Sequence, residues 1–136
     1  MQIAKAVAEI SKLKDQGLPI ELVTIGSQPY GLVRGIDAPA SHWDKTSFDI
    51  MFAIPVAYDM GAALDAFYLR LPYKYRGGVH NRVSGQTLTY ENASWQLVSW
   101  HYADNTPFQG DKDTIEGHVV HCKGFFLERG ATNARA

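Results

Sequence analysis

Apolar residues recur at helical spacing near both ends of this 136-residue chain and at strand spacing between the two ends. The first series consists of Ile3, Val7, Ile10 and Leu13. Steps of three and four residues predict an amphipathic helix over residues 2–16, and Gly17 follows where a left-handed cap commonly ends a helix. This pattern predicts a helix near each end of the chain with strands between them.

The middle of the chain alternates apolar and polar residues in short runs that are separated by turn-forming residues. In residues 47–54, for example, Phe48, Ile50 and Phe52 alternate with Ser47, Asp49 and Met51. Period-two patterns of this kind predict four strands, at residues 21–25, 30–36, 47–54 and 66–71. Residues 72–85, with Gly77-Gly78 at their centre, are predicted to be irregular, and residues 88–102 to hold short extended pieces.

A second helix is predicted from Asp113 to about residue 129. Asp113 is a favourable N-cap, and Glu116 three residues later completes a pattern like a capping box. Its apolar stripe consists of Ile115, Val119, Cys122 and Phe126. Because Cys122 shares this stripe, we expect it to be a small core residue. The elements together predict an α+β sandwich formed by one domain over residues 1–130, followed by a tail at 131–136.

Composition excludes several classes of function. The net charge is −1, which gives no electrostatic reason to expect binding to nucleic acid or to an anionic membrane. A single cysteine cannot form an intrachain disulfide, so the reducing cytoplasm is the expected compartment. No apolar stretch is long enough to span a bilayer. Since neither glycine-rich phosphate motif occurs, we predict no nucleotide or other cofactor.

Four segments, in this order, resemble the ubiquitin-conjugating (UBC-like) superfamily. They are Ile-Pro-Val-Ala-Tyr at 54–58 followed by Phe-Tyr-Leu-Arg-Leu-Pro at 67–72, Trp-Gln-Leu-Val-Ser-Trp-His at 95–101, and Asp-Thr-Ile-Glu-Gly-His-Val at 113–119. The chain is most similar to the bacterial branch that is encoded beside ubiquitin-like proteins. The resemblance implies an N-terminal helix, a four-stranded antiparallel meander and a C-terminal helix. It also implies two partners, a ubiquitin-like protein and an adenylating enzyme of the ubiquitin-activating type.

The sequence departs from the family where the family's chemistry takes place. The family's His-Pro-Asn element has only the echo His80-Asn81, without the proline, and residues 82–112 contain no cysteine. The resemblance places Ser99 near the position of the family cysteine. His101 would lie on the same side of an extended segment, where it could serve Ser99 as a general base. The catalytic candidates are therefore Ser99, His101 and, as the family's oxyanion donor, Asn81. The alternative interpretations are a surface Ser/His pair beside a buried tryptophan and an ordinary turn asparagine.

Other interpretations remain open at this point. His118 and His121 are three residues apart and share roughly one helical face, which suits a zinc ligand pair. Nothing in the sequence indicates further ligands, so we expect packing or solvent-facing histidines and no metal site. The chain could act through a serine oxyester, or it could be a non-catalytic UBC-like scaffold. A third hypothesis is an unrelated α+β domain that binds a ligand or a partner.

Overall fold

The structure, a computed structural model, describes residues 3–75 and 83–127 of the chain. Two α-helices lie near the two ends: α1 (Ala4–Asp15) and α2 (Ile115–Leu127). A short 3-10 helix spans Tyr58–Met60. The strands are β1 (Ile20–Ile25), β2 (Gln28–Asp37), β3 (Ser47–Ala53), β4 (Phe67–Arg70), β5 (Val83–Tyr90) and β6 (Ala93–Val98).

These six strands form one antiparallel sheet in the order β1-β2-β3-β4-β6-β5. Strands β1 to β4 make the predicted meander, and the α+β class with a helix at each end is confirmed. The sheet is larger than predicted, because β5 and β6 form an additional hairpin that joins the meander through β4. The prediction of irregular structure up to residue 85 is wrong from Val83 onward, where β5 begins. Gly77-Gly78 lies outside the described residues.

The main core lies between one face of the sheet and the two helices. On β3, the predicted alternation places Phe48, Ile50 and Phe52 in this core, where each is at most 2% exposed. The stripe of α2 that includes Cys122 is buried against the same face. Trp43 is fully buried and donates its indole N–H to the carbonyl of Phe126 at 3.0 Å, so the loop before β3 is fixed to α2.

The end of α1 and the start of α2 are capped by residues close to them in sequence. α1 ends in a Schellman motif: the Leu18 amide donates to the Leu13 carbonyl, and Gly17 has the left-handed φ of 93°. This confirms the predicted glycine cap. At α2 the expected cap is wrong, because the Asp113 carboxylate accepts the Gln109 amide instead. The hydroxyl of Thr114 accepts the Gly117 amide at 3.3 Å, so Thr114 is the N-cap.

Glu9 joins the three helical elements at one carboxylate oxygen. Its Oε1 accepts hydrogen bonds from the Tyr58 hydroxyl at 2.9 Å and from the Ile115 amide at 2.7 Å. The Ile115 amide lies in the first turn of α2, where amides have no carbonyl partner within the helix and a negative charge is favourable. The contact therefore fixes where α2 begins relative to α1.

A second, smaller core lies on the outer face of the sheet. It consists of Tyr30, Leu32, Met51 and Trp95. Arg34 and Arg70 both contact the carboxylate of Glu91, at 2.8 and 3.0 Å, and the Arg70 guanidinium lies 5.6 Å from the Trp95 ring. These contacts hold the tip of the β5–β6 hairpin over the outer core.

Candidate functional site

The candidate site lies where β6 ends and the chain turns toward α2. The last residue of β6, Val98, pairs with Phe67 at the start of β4, so the sheet fixes the backbone immediately before Ser99. Ser99 is half-buried, and His101 is exposed. Ser99 and His101, with Trp100 between them, therefore follow directly after β6, an internal strand of the sheet.

The residues on either side of His101 are fastened to α2. Trp100 donates its indole N–H to the His121 carbonyl at 2.8 Å, and His121 Nε2 lies 3.3 Å from the Trp100 carbonyl oxygen. The Tyr102 ring stacks on the His121 ring with centroids 3.8 Å apart and planes 10° apart. The Tyr102 hydroxyl also lies 2.7 Å from Nδ1 of His118. The exposed side chain of His101 therefore lies between two residues, Trp100 and Tyr102, that both contact α2.

His101 contacts the carboxylate of Asp65. Its Nδ1 lies 2.9 Å from Oδ1 and 3.0 Å from Oδ2 of Asp65. Within residues 3–75 and 83–127, no hydrogen bond joins Ser99 to His101. The structure therefore shows an Asp–His pair, with Ser99 two residues before His101.

Asp65 is the residue that reasoning from the sequence missed. It lies two residues before β4, in a segment with no recognisable motif. The signal that could have located it is strand pairing: in an antiparallel pair, the residues before β4 run beside the residues after β6. Because residues 88–102 were predicted to hold short extended pieces with no assigned partner strand, this neighbourhood was not predicted.

The third predicted site residue, Asn81, lies outside the described residues, as does the neighbouring His80. Its assignment as an oxyanion donor stays a prediction.

Cys122 has the environment of a core residue. It is fully buried, and burial, followed by the charge of Asp65, raises the pKa of its thiol well above the ordinary value. A thiol in this state is a poor nucleophile, because the thiolate is the reactive form. The prediction that Cys122 belongs to the core is confirmed, and it is the only cysteine in the sequence.

His118 and His121 take part in packing. His118 is fully buried, with its ring edge-on to Phe52 at a centroid distance of 4.9 Å. Burial, and secondly the neighbouring His121, lowers the pKa of His118 to about 4. Burial also lowers the pKa of His121. Among the described residues, no group of three or more His, Cys, Asp or Glu side chains is arranged to hold a metal ion.

In the described part of the chain, neither helix has the length and apolar character needed to cross a membrane.

Comparisons with known proteins identify the family. Searches of the curated proteins and of the solved structures found no match for this chain. The family model described as "Prokaryotic E2 family E" matches residues 7–128. The chain therefore belongs to prokaryotic E2 family E and is a bacterial UBC-like protein.

Proposed function

We propose that this chain accepts or positions the carboxyl terminus of a ubiquitin-like protein at the end of β6. Family membership supports a role in a bacterial conjugation pathway. The proposed location rests on the position of His101. Its imidazole is exposed, lies two residues from Ser99, and belongs to a segment that is hydrogen-bonded to α2. An imidazole at this place has the chemistry of a general base. The proposed partners are a ubiquitin-like protein and an adenylating enzyme of the activating type, acting together in the cytoplasm.

The proposed reaction is an acyl transfer to the Ser99 hydroxyl. Oγ attacks the activated carbonyl carbon at the carboxyl terminus of the ubiquitin-like protein, which is held as a thioester or acyl adenylate. A C–O ester bond forms, the bond to the leaving group breaks, and the hydroxyl proton passes to Nε2 of His101 and then to the leaving group. Asn81 or a backbone amide is the proposed donor to the developing oxyanion. An amine acceptor would then attack the ester and release Ser99.

A second candidate is a non-catalytic scaffold that binds the ubiquitin-like protein or the activating enzyme. It is favoured by the lack of a Ser99–His101 hydrogen bond among the described residues and by the burial of Cys122. An unrelated α+β domain is no longer a candidate, because the chain belongs to the family.

The two candidates differ in whether a covalent adduct forms. The test incubates the chain with ATP, a ubiquitin-like protein and an adenylating enzyme of the activating type, both taken from the same organism as the chain. We expect an adduct that resists reducing agent, is released by hydroxylamine or mild base, and is lost in Ser99→Ala. The control Ser94→Ala changes an exposed serine on β6 and should leave the adduct intact.

Three results would count against transfer through Ser99. An adduct that is reversed by thiol, or that disappears in Cys122→Ala, would place the chemistry on Cys122. Binding of the ubiquitin-like protein without any adduct would support the scaffold.

A further inference from the structure

Asp65 reaches the candidate site because of the pairing between β4 and β6. Phe67 pairs with Val98, and the two strands are antiparallel, so the residues that precede Phe67 lie beside those that follow Val98. Asp65 and His101 are 36 residues apart in sequence, and both carboxylate oxygens of Asp65 lie within 3.0 Å of Nδ1 of His101. The pairing of β4 with β6 therefore brings Asp65 beside His101.

The contact determines which nitrogen of His101 carries the hydrogen. An ionised carboxylate only accepts hydrogen bonds, so Nδ1 must be the donor. A neutral imidazole with its hydrogen on Nδ1 has its lone pair on Nε2. No residue in the described ranges bonds to Nε2, so this lone pair is available to a group that approaches from solvent.

The Asp65–His101 pair is too exposed to serve mainly as a contribution to folding stability. The His101 and Asp65 side chains are 54% and 60% exposed. Ion pairs at such surfaces contribute little to folding, because water screens the charges and two side chains must be ordered. The neighbours Trp100 and Tyr102 already fix the backbone through α2. Asp65 therefore sets only the rotation and the tautomer of the His101 ring.

We propose that Asp65 is a positioning residue that holds His101 with its hydrogen on Nδ1 and its lone pair on Nε2. In the acyl transfer proposed above, Nε2 takes the Ser99 hydroxyl proton and passes it to the leaving group, while Asp65 stays ionised and stabilises the transient imidazolium. The assignment of the tautomer stands on the contact alone, whereas its use in transfer rests on the proposed function.

The first experiment measures the tautomer without any partner protein. Side-chain proton–nitrogen correlation spectra of His101 are recorded in a buffer alkaline enough to keep the imidazole neutral. The wild-type chain and Asp65→Glu should show the hydrogen on Nδ1, whereas Asp65→Asn should show a mixture or the opposite tautomer. Asp104→Asn removes the same charge from an exposed loop and should match the wild type. A tautomer that is unchanged in Asp65→Asn would overturn the proposal.

The second experiment measures the rate of adduct formation. We expect Asp65→Asn to slow it about tenfold or more, as loss of an oriented general base does, and Asp65→Glu to recover part of the rate. Because Asp65 acts through His101, the double variant Asp65→Asn/His101→Gln should be no slower than His101→Gln alone. Additive losses would contradict a role through His101. If the wild-type chain forms no adduct, the proposed transfer fails, and the spectra still decide the tautomer.

Discussion

His118 shows at the scale of one residue how burial links ionisation to folding. Its Nδ1 is hydrogen-bonded to the Tyr102 hydroxyl, and among residues 3–75 and 83–127 no hydrogen-bond partner faces its buried Nε2. Burial, more than the neighbouring His121, holds the pKa at about 4, below the ordinary value of 6.5. The folded chain therefore keeps this imidazole neutral at pH values where the unfolded chain binds a proton.

The first prediction concerns the pH dependence of stability. Between pH 6.5 and pH 4 the unfolded state binds more protons at His118 than the folded state does. The free energy of unfolding should therefore fall as the pH is lowered through this interval, by about 3 kcal/mol from His118. Urea denaturation at a series of pH values measures this slope.

Two variants separate His118 from other titrating groups. His118→Gln should remove much of the slope, and the lowered pKa of His121 should account for part of what remains. Tyr102→Phe removes the hydroxyl and keeps the ring, so it should lower stability and leave the slope in place. Equal slopes in wild type and His118→Gln would contradict the assignment.

The second prediction concerns Gly31, where β2 passes over an aromatic ring of β3. A Cβ at this position would lie 2.6 Å from Cζ of Phe52. Gly31→Ala should lower the free energy of unfolding by about 1–3 kcal/mol, because the ring or the strand must move. Gly85→Ala in β5 is a matched control, since a Cβ there meets no heavy atom within 4 Å. Equal denaturation midpoints for the two variants would contradict this packing.

At the scale of elements, the β5–β6 hairpin depends on an unusual turn. Glu91 and Asn92 connect the strands with φ angles of 56° and 58°, the backbone of a type I′ turn. Such a turn favours glycine at its second position, and glutamate is a poor choice for its first. The two arginine contacts of Glu91 offset this cost by holding its carboxylate over the outer face of the sheet.

The third prediction tests this turn. Asn92→Gly should raise the free energy of unfolding by about 0.5 kcal/mol, because glycine adopts a positive φ without steric cost. Asn105→Gly is the control, because Asn105 lies in a loop and has no positive φ. It should give no gain and a small loss from added freedom in the unfolded chain. A loss of stability in Asn92→Gly would contradict the assigned turn.

The same hairpin explains why the sequence predicts part of the sheet and not all of it. In β3, Phe48, Ile50 and Phe52 recur at every second position and face the main core, so the strand pattern is visible even though Met51 is buried on the outer face. β5 is an edge strand whose residues are mostly half-buried or exposed, so its sequence carries little alternation. The pairing with β6 also shifts register between Val83 and Thr87, and the turn lacks the glycine that signals a hairpin. Local patterns therefore predicted α1, the meander and α2, whereas β5 depends on its partner strand.

At the scale of the whole molecule, the site combines residues that are found locally with one that only the fold brings in. Ser99 and His101 were predicted from their two-residue spacing on an extended segment and from the resemblance, which places Ser99 near the family cysteine. Asp65 depends on the pairing of β4 with β6, which sequence patterns did not indicate. The burial of Cys122 follows from the stripe of α2, and the structure confirms it. What the sequence could not predict is thus the long-range contact that orients His101.

The proposed acceptor for the ubiquitin-like protein lies at the end of β6. The most direct measurement is peptide mapping by mass spectrometry of the adduct formed with the activating enzyme, the ubiquitin-like protein and ATP. We expect the remnant of the ubiquitin-like carboxyl terminus as an ester on Ser99 and its loss from that peptide in Ser99→Ala. A remnant on Cys122, or on a lysine with Ser99 unmodified throughout the time course, would contradict it.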